Sequence, residues 1–273
     1  MKYVKYIIFL FFLPTLLYGY IDSDFDGVDD KEDKCPNTPL SDLVDTSGCT
    51  IESLISYHHY SIFSGLAYMD SNYQTLSKTK TYIASFEAYY YYKNFLADFQ
   101  TSYYNSDTST SDDNGLGDSY INISYRYYLN SNLYIAPTLG IVLPTYDNGL
   151  NNNNLDYYLA ASLDYQYNQI DLYAGYGYTI INDDDYNDEN FSINYQDTSS
   201  YYFGFGYDFQ KLYTTLSYNF TNSIYKDVED IETLMFLINY QLENGIYLNS
   251  SYAYGLSDSA ADNYISIKIG WMF

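Results

Sequence analysis

From about residue 56 to the C-terminus, apolar and polar positions alternate with a period of two, segment after segment. That period belongs to strands with two unlike faces. At the C-terminus Ile265, Ile267, Ile269, Trp271 and Phe273 share one face, and Ser266, Lys268 and Gly270 share the other. Ile121, Ile123, Tyr125 and Tyr127 repeat the arrangement, as do Tyr201, Phe203, Phe205, Tyr207 and Phe209 against Gly204, Gly206 and Asp208. Twelve such segments can be drawn, near 56–70, 81–92, 95–104, 118–129, 133–143, 155–167, 170–181, 198–209, 212–225, 233–242, 246–256 and 263–273.

The connections between them alternate in length. Those at 93–94, 130–132, 168–169, 210–211 and 243–245 are two or three residues, whereas 71–80, 105–117, 144–154, 182–197, 226–232 and 257–262 are longer. Short turns at one end and long loops at the other predict an all-β chain folded as a transmembrane antiparallel β-barrel of about 12 strands. An even strand number puts both barrel ends on the short-turn side, which is periplasmic in such barrels.

A soluble β-sandwich offers the competing account of the alternation. Sandwich cores are built from inward-facing aliphatic side chains, yet this chain carries 41 Tyr and 15 Phe in 273 residues. Tyrosine suits the headgroup level of a bilayer, where the ring is buried and the hydroxyl stays wet. Past residue 19 no run approaches the ~20 apolar residues that a spanning helix requires. The net charge of -24 excludes nucleic acid as a partner, because nothing here neutralises a run of phosphates.

Lys2 and Lys5 precede an apolar run from Ile7 to Leu17 that ends at the small residue Gly19. A charged start, a short apolar core and a small residue describe a secretory signal peptide over 1–19. The chain then divides into a linker over 20–50 and a barrel over 51–273.

In the linker, Asp22, Asp24, Asp26, Asp30 and Asp33 occupy positions 1, 3, 5, 9 and 12 of a twelve-residue loop. Gly27 falls where such a loop turns sharply, and the Val28 carbonyl falls at position 7. Oxygen donors at this spacing form a cage for Ca2+, with Asp33 in place of the usual bidentate Glu. Without a cation the carboxylates repel one another, and the alternative is a solvated acidic linker. Cys35 and Cys49 follow, 14 residues apart, and two cysteines in an exported chain are expected to pair. The segment from Asp22 to Cys49 resembles a thrombospondin type 3 repeat in its acid spacing, Gly27, Cys35-Pro-Asn-Thr-Pro and closing Gly48-Cys49. The resemblance implies a structural calcium site in a linker on the periplasmic side of an outer-membrane barrel.

Alternation also assigns an inner face. Glu87, Asp98, Arg126, Asp164, Asp208 and Lys268 lie opposite the apolar faces of their strands and are expected to line the lumen. A charge on the lipid face costs about 2–4 kcal/mol at the midplane for Arg or Lys. Such residues either border a polar path narrowed near Arg126 or pair and fill the interior, and twelve strands lie between filled and aqueous barrels. The long loops are acidic at Asp107, Asp112, Asp113, Asp183, Asp184, Asp185, Asp188 and Glu189, a rim that concentrates cations. His58 and His59 are the only histidines, and no nucleophile is spaced to join them, so the expectation is not an enzyme.

Gly115-Leu-Gly117-Asp118 opens a strand, and Pro137-Thr-Leu-Gly140-Ile-Val-Leu-Pro144-Thr145-Tyr146-Asp147 closes the next. With Leu155-Asp156-Tyr157 and Tyr173-Ala-Gly175-Tyr176, this series resembles the outer-membrane barrel family described as putative MetA-pathway of phenol degradation. Tyr146 stands where that family has Gly, and Pro137 removes a ladder donor and predicts a bend or bulge. The resemblance implies passage of small solutes, hydrophobic or aromatic ones included. Phe273, with Trp271 and Ile269 behind it, resembles the C-terminal signal that barrels present to the barrel assembly machinery. Two readings follow: a channel for small solutes in the outer-membrane lipid, or a closed-lumen structural or adhesive surface protein.

Overall fold

The structure, a computed structural model, describes residues 22–24, 26–28, 30–39, 44–50, 58–72, 78–108, 111–146, 152–188, 192–242 and 245–273. The signal segment 1–19, Asp29, Asp147 and Glu189 lie outside the described residues. The chain forms two compact units, 1–55 and 56–273.

The second unit is all strand: β1 (His58–Ser71), β2 (Thr79–Tyr92), β3 (Phe95–Thr108), β4 (Ser111–Leu116), β5 (Ser119–Tyr125), β6 (Tyr127–Asn130), β7 (Leu133–Leu143), β8 (Asp156–Tyr167), β9 (Ile170–Ile180), β10 (Tyr186–Asn187), β11 (Ser192–Ile193), β12 (Thr198–Asp208), β13 (Leu212–Thr221), β14 (Ile231–Gln241), β15 (Ile246–Gly255) and β16 (Asn263–Met272). Neighbours pair antiparallel around a closed ring, β1 to β16 and β2 to β3 completing it. With β5 and β6 forming one stave, and β4, β10 and β11 lying in loops, the ring has twelve staves. Closure leaves none of the twelve staves at an open edge of the ring, as hydrocarbon demands.

The two faces are inverted relative to a soluble protein. Large apolar side chains point outward, with Leu66 70% and Leu139 65% exposed, while the best-buried residues are small and polar, such as Ser61 at 1% and Ser266 at 2%. Such an exterior is stable only where lipid solvates it. Tight turns at the short end are served by left-handed residues at Lys93, Asn168 and Gln210, which hairpin twist favours. The seam is fastened by reciprocal backbone bonds between Tyr60 and Phe273 at 2.8 and 2.9 Å.

Pro137 has the anticipated consequence. Ser124 pairs with Thr138 and Tyr127 with Ile135, so the interruption between β5 and β6 at Arg126 lies opposite Ala136–Pro137. On its other side the Arg126 amide continues the β3–β5 register to the carbonyl of Asn94, at 2.9 Å. One loop expectation changes: within 105–117 the ladder continues, Thr108 pairing with Ser111 and Tyr103 with Leu116, because no helix or breaker stops it before the chain reverses.

Candidate functional site: the inner wall and the N-terminal acidic loop

Strand parity and register place the inner wall. On one side, Lys268 of β16 reaches over Gly65 of β1 to form an ion pair with Glu87 of β2. Tyr89 donates its hydroxyl to Glu87 at 2.8 Å, and Asp98 of β3, opposite Tyr89, accepts from Gln100 at 2.9 Å and Asn122 at 3.0 Å. Three of the predicted residues, Lys268, Glu87 and Asp98, with Tyr89, Gln100 and Asn122 thus form one polar band across five staves.

Asp164 lies farther round the ring, on β8, and Arg126 at the break between β5 and β6. The Arg126 guanidinium lies 5.5 Å from the Tyr134 ring centre, and Tyr134 stands opposite Asp164. Level with turn residue Asn94, Arg126 sits at the short-turn rim and not at mid-height. Asp208 also sits at that rim, accepting the Gln210 amide at 2.7 Å and so closing the turn. Sequence reasoning passed over Asp171, although it lies between the outward residues Ile170 and Leu172. It is 9% exposed and accepts the Tyr213 hydroxyl. Among the described residues, Oδ1 of Asp164 and Oδ1 of Asp171 have no hydrogen-bond donor. Among the described residues the inward acids Glu87, Asp98, Asp156, Asp164, Asp171 and Asp208 face Lys268 and Arg126 as the inward cations.

The interior tyrosines lie along the wall. The Tyr202 ring covers Gly175, the Tyr173 ring covers Gly204 at 2.6 Å from where a β-carbon would stand, and Tyr213 covers Gly206. Inward glycines thus supply hollows that neighbouring rings fill. A β-carbon at Gly204 would strike ring and backbone alike.

At the long-loop end the acids divide by role. Asp107 and Asp112 pair across the β3–β4 hairpin, and Asp113 accepts from the Tyr104 hydroxyl at 2.9 Å. Asp118 accepts the Tyr146 amide, Asp183 the Asn154 amide and Asp185 the Tyr195 amide, so these carboxylates cap loop backbone. Burial raises the pKa of Asp183 above the usual carboxylate range. Asp184 and Asp188 are exposed. His58 and His59 lie at the short-turn end of β1, opposite Tyr92 and Tyr91.

In the first unit, Asp22, Asp24 and Asp26 converge, each offering an oxygen within 4.8 Å of the others. Gly27 turns at φ 92° and donates its amide to Asp22 at 2.7 Å, while Val28 donates its amide to Asp26 at 2.8 Å. Asp22 is 8% exposed, and Asp22 Oδ1 and Asp26 Oδ2 are buried without a donor. Burial, then the neighbouring carboxylates, push the Asp22 pKa up to about 6. Buried acceptors crowded on one another suit a hard cation. Asp33 approaches the same place, since a β-carbon at Gly48 would meet its carboxylate and Asp26 Oδ2. Asp30 instead binds the amide and hydroxyl of Ser23, both at 2.7 Å. Cys35 and Cys49 form a disulfide. Thr38 donates its hydroxyl to the carbonyls of Cys35 and Gly48, both at 2.8 Å, and its amide to Asp24 at 2.6 Å.

No protein-family model matches the chain, and no curated protein matches it in sequence. Among solved structures it is similar to an outer membrane channel from Pseudomonas putida F1, with TM-score 0.63 and 12% identity over 79% of this chain and 95% of that one. It is also similar to the NanC porin, with TM-score 0.51 and 12% identity over 78% and 98%, and to the translocator domain of the autotransporter NalP from Neisseria meningitidis, with TM-score 0.53 and 11% identity over 78% and 88%. The fold is that of outer-membrane barrels. At these identities function has to be argued from the residues.

Proposed function

We propose that the chain is a bacterial outer-membrane channel for small solutes, with a preference for cations. The observation that carries this reading is the inner wall, where among the described residues the carboxylates outnumber the cations and rings fill the hollows over inward glycines. A polar, net-negative lumen favours cations. The exposed ring faces along the wall also suit hydrophobic or aromatic solutes, in keeping with the motif resemblance at 115–176. Phe273 is the segment that the assembly machinery recognises. The linker lies in the periplasm and binds Ca2+ through Asp22, Asp24 and Asp26, with Asp33 beside them; the buried orphan oxygens support this.

The test is single-channel recording of the purified full chain in planar bilayers. An open lumen conducts, and its reversal potential in a KCl gradient has the sign of cation preference. A silent, fully inserted protein supports the closed-lumen surface reading instead.

A further inference from the structure

The outer face at the short-turn end carries a girdle of rings. Tyr60, Tyr92, Tyr125, Tyr127, Tyr167 and Tyr207 all lie exposed within a few residues of the short turns or of the C-terminus. Such rings mark the level of the lipid headgroups.

The charge at this rim has the opposite sign to that of the chain. Acids outnumber Lys and Arg by 35 to 11 overall. Yet among the described residues of the short turns, 93–94, 130–132, 168–169, 210–211 and 245, the charged side chains are Lys93 and Lys211. Positive side chains at headgroup level attract lipid phosphates.

Lys93 stands beside a depression in the lipid-facing wall. Ala97 of β3 points outward between Tyr90 of β2 and Ile123 of β5, and Phe95, the next outward residue toward the turn, lies between Tyr92 and Tyr125. The short Ala97 side chain amid these larger ones leaves a hollow of about 310 Å³, lined by His58, Tyr90, Tyr92, Phe95, Ala97 and Ile123. That volume is at the lower end of ligand-sized pockets, roughly 300–1,000 Å³. Hydrocarbon solvates this face, so the filling that suits an apolar hollow here is an acyl chain.

The turnward rim of the hollow is polar. The His58 ring stacks on Tyr90 at 5.8 Å and leans on Tyr92 at 5.0 Å, with Nδ1 2.5 Å from the Tyr90 hydroxyl. The Lys93 ammonium lies 5.7 Å from the centre of the same Tyr92 ring. One tyrosine thus gathers an imidazole and an ammonium at the end of the hollow nearest the headgroups.

We infer that this hollow seats one phospholipid of the leaflet at the short-turn end, an acyl chain lying over Ala97 and the phosphate held by Lys93 and His58. That leaflet is the periplasmic one in barrels of this kind. The inference rests on the outer-membrane fold and holds for an open or a closed lumen alike.

The test is native mass spectrometry of the full chain, delipidated in detergent and titrated with phosphatidylglycerol. One lipid per chain is expected to stay bound at concentrations where diacylglycerol, which lacks the phosphate, does not. Lys93 adopts φ 52°, a conformation that Asn tolerates. Lys93→Asn/His58→Gln is therefore expected to lower occupancy at least fivefold in a folded barrel. Ala97→Leu fills the hollow with apolar bulk and is expected to lower it by a similar factor, whereas Lys211→Asn, at the same rim, should leave it unchanged. Heat-modifiable gel migration confirms that each variant is folded, and should the double variant fail to fold, Ala97→Leu decides alone. Unchanged occupancy in Ala97→Leu, equal retention of diacylglycerol, or an equal loss in Lys211→Asn overturns the site.

Discussion

The Lys268 ammonium and the Glu87 carboxylate, 181 residues apart in sequence, form an ion pair across the closing seam of the barrel. The lysine stem passes over Gly65, whose missing β-carbon provides the room, and the Phe63 ring lies over Gly270 in the same manner. First and last staves are thereby keyed into each other from the inside.

Breaking that key should loosen the seam. Lys268→Met leaves Glu87 and Tyr89 without their cation and is expected to destabilise the barrel by about 2 kcal/mol, the scale of a hydrogen bond to a charged group. The measurement is the urea midpoint of heat-modifiable gel migration. Restoring a cation with Lys268→Arg should recover most of the loss, and an unchanged midpoint in Lys268→Met would show the pair to be incidental.

Selectivity should reside on the opposite wall. Asp164 and Asp171 carry carboxylate oxygens with no donor among the described residues. Asp164→Asn/Asp171→Asn is expected to shift the reversal potential toward zero, whereas Asp184→Asn/Asp188→Asn, on the exposed rim, should shift it less and only at low salt, where screening is weak. Equal effects at high salt would place selectivity on the rim.

The linker makes a prediction of its own. Gly48 adopts φ 76°, and a β-carbon there would meet the Asp33 carboxylate. Gly48→Ala is therefore expected to weaken calcium binding at least tenfold in titration calorimetry on the full chain, as is Asp24→Asn/Asp26→Asn. Reducing Cys35–Cys49 releases a 14-residue loop, costing roughly 3 kcal/mol in the chain-entropy model. Calcium should then no longer protect the linker from proteolysis. No calcium uptake by the intact chain would remove the metal from the account.

Much of this architecture was legible in the chain. A period of two cannot be satisfied by any other element, so strand positions and the alternation of turns followed directly, as did the ladder break opposite Pro137. Asp171, passed over in the sequence, follows the alternation of its strand between Ile170 and Leu172. Contacts that depend on ring position were not legible. Nothing local in Lys268 and Glu87 says that their staves meet at the seam, and nothing in Asp30 says that Ser23 takes its carboxylate. The long loops read as solvated acid, yet Asp118, Asp183 and Asp185 cap backbone amides contributed by partners that only folding brings near.

The C-terminus serves both folding and export in this account. The Phe273 ring lies 5.8 Å from Tyr60 and 4.9 Å from Trp271. Deleting Phe273 is expected to reduce the amount of protein in outer-membrane fractions several-fold, while refolding of the purified chain in detergent falls less. Equal losses in both would mean that the residue acts only through the seam.

The lone tryptophan, Trp271, is 51% exposed on the outer face, paired with Ile62 and Ile246. Its fluorescence in liposomes whose lipids are brominated near the headgroup tests the lipid-facing exterior most directly. Strong quenching there, with blue-shifted emission, is the result expected of a barrel solvated by hydrocarbon. Unquenched, water-like emission from a chain that stays in aqueous solution without detergent would contradict it.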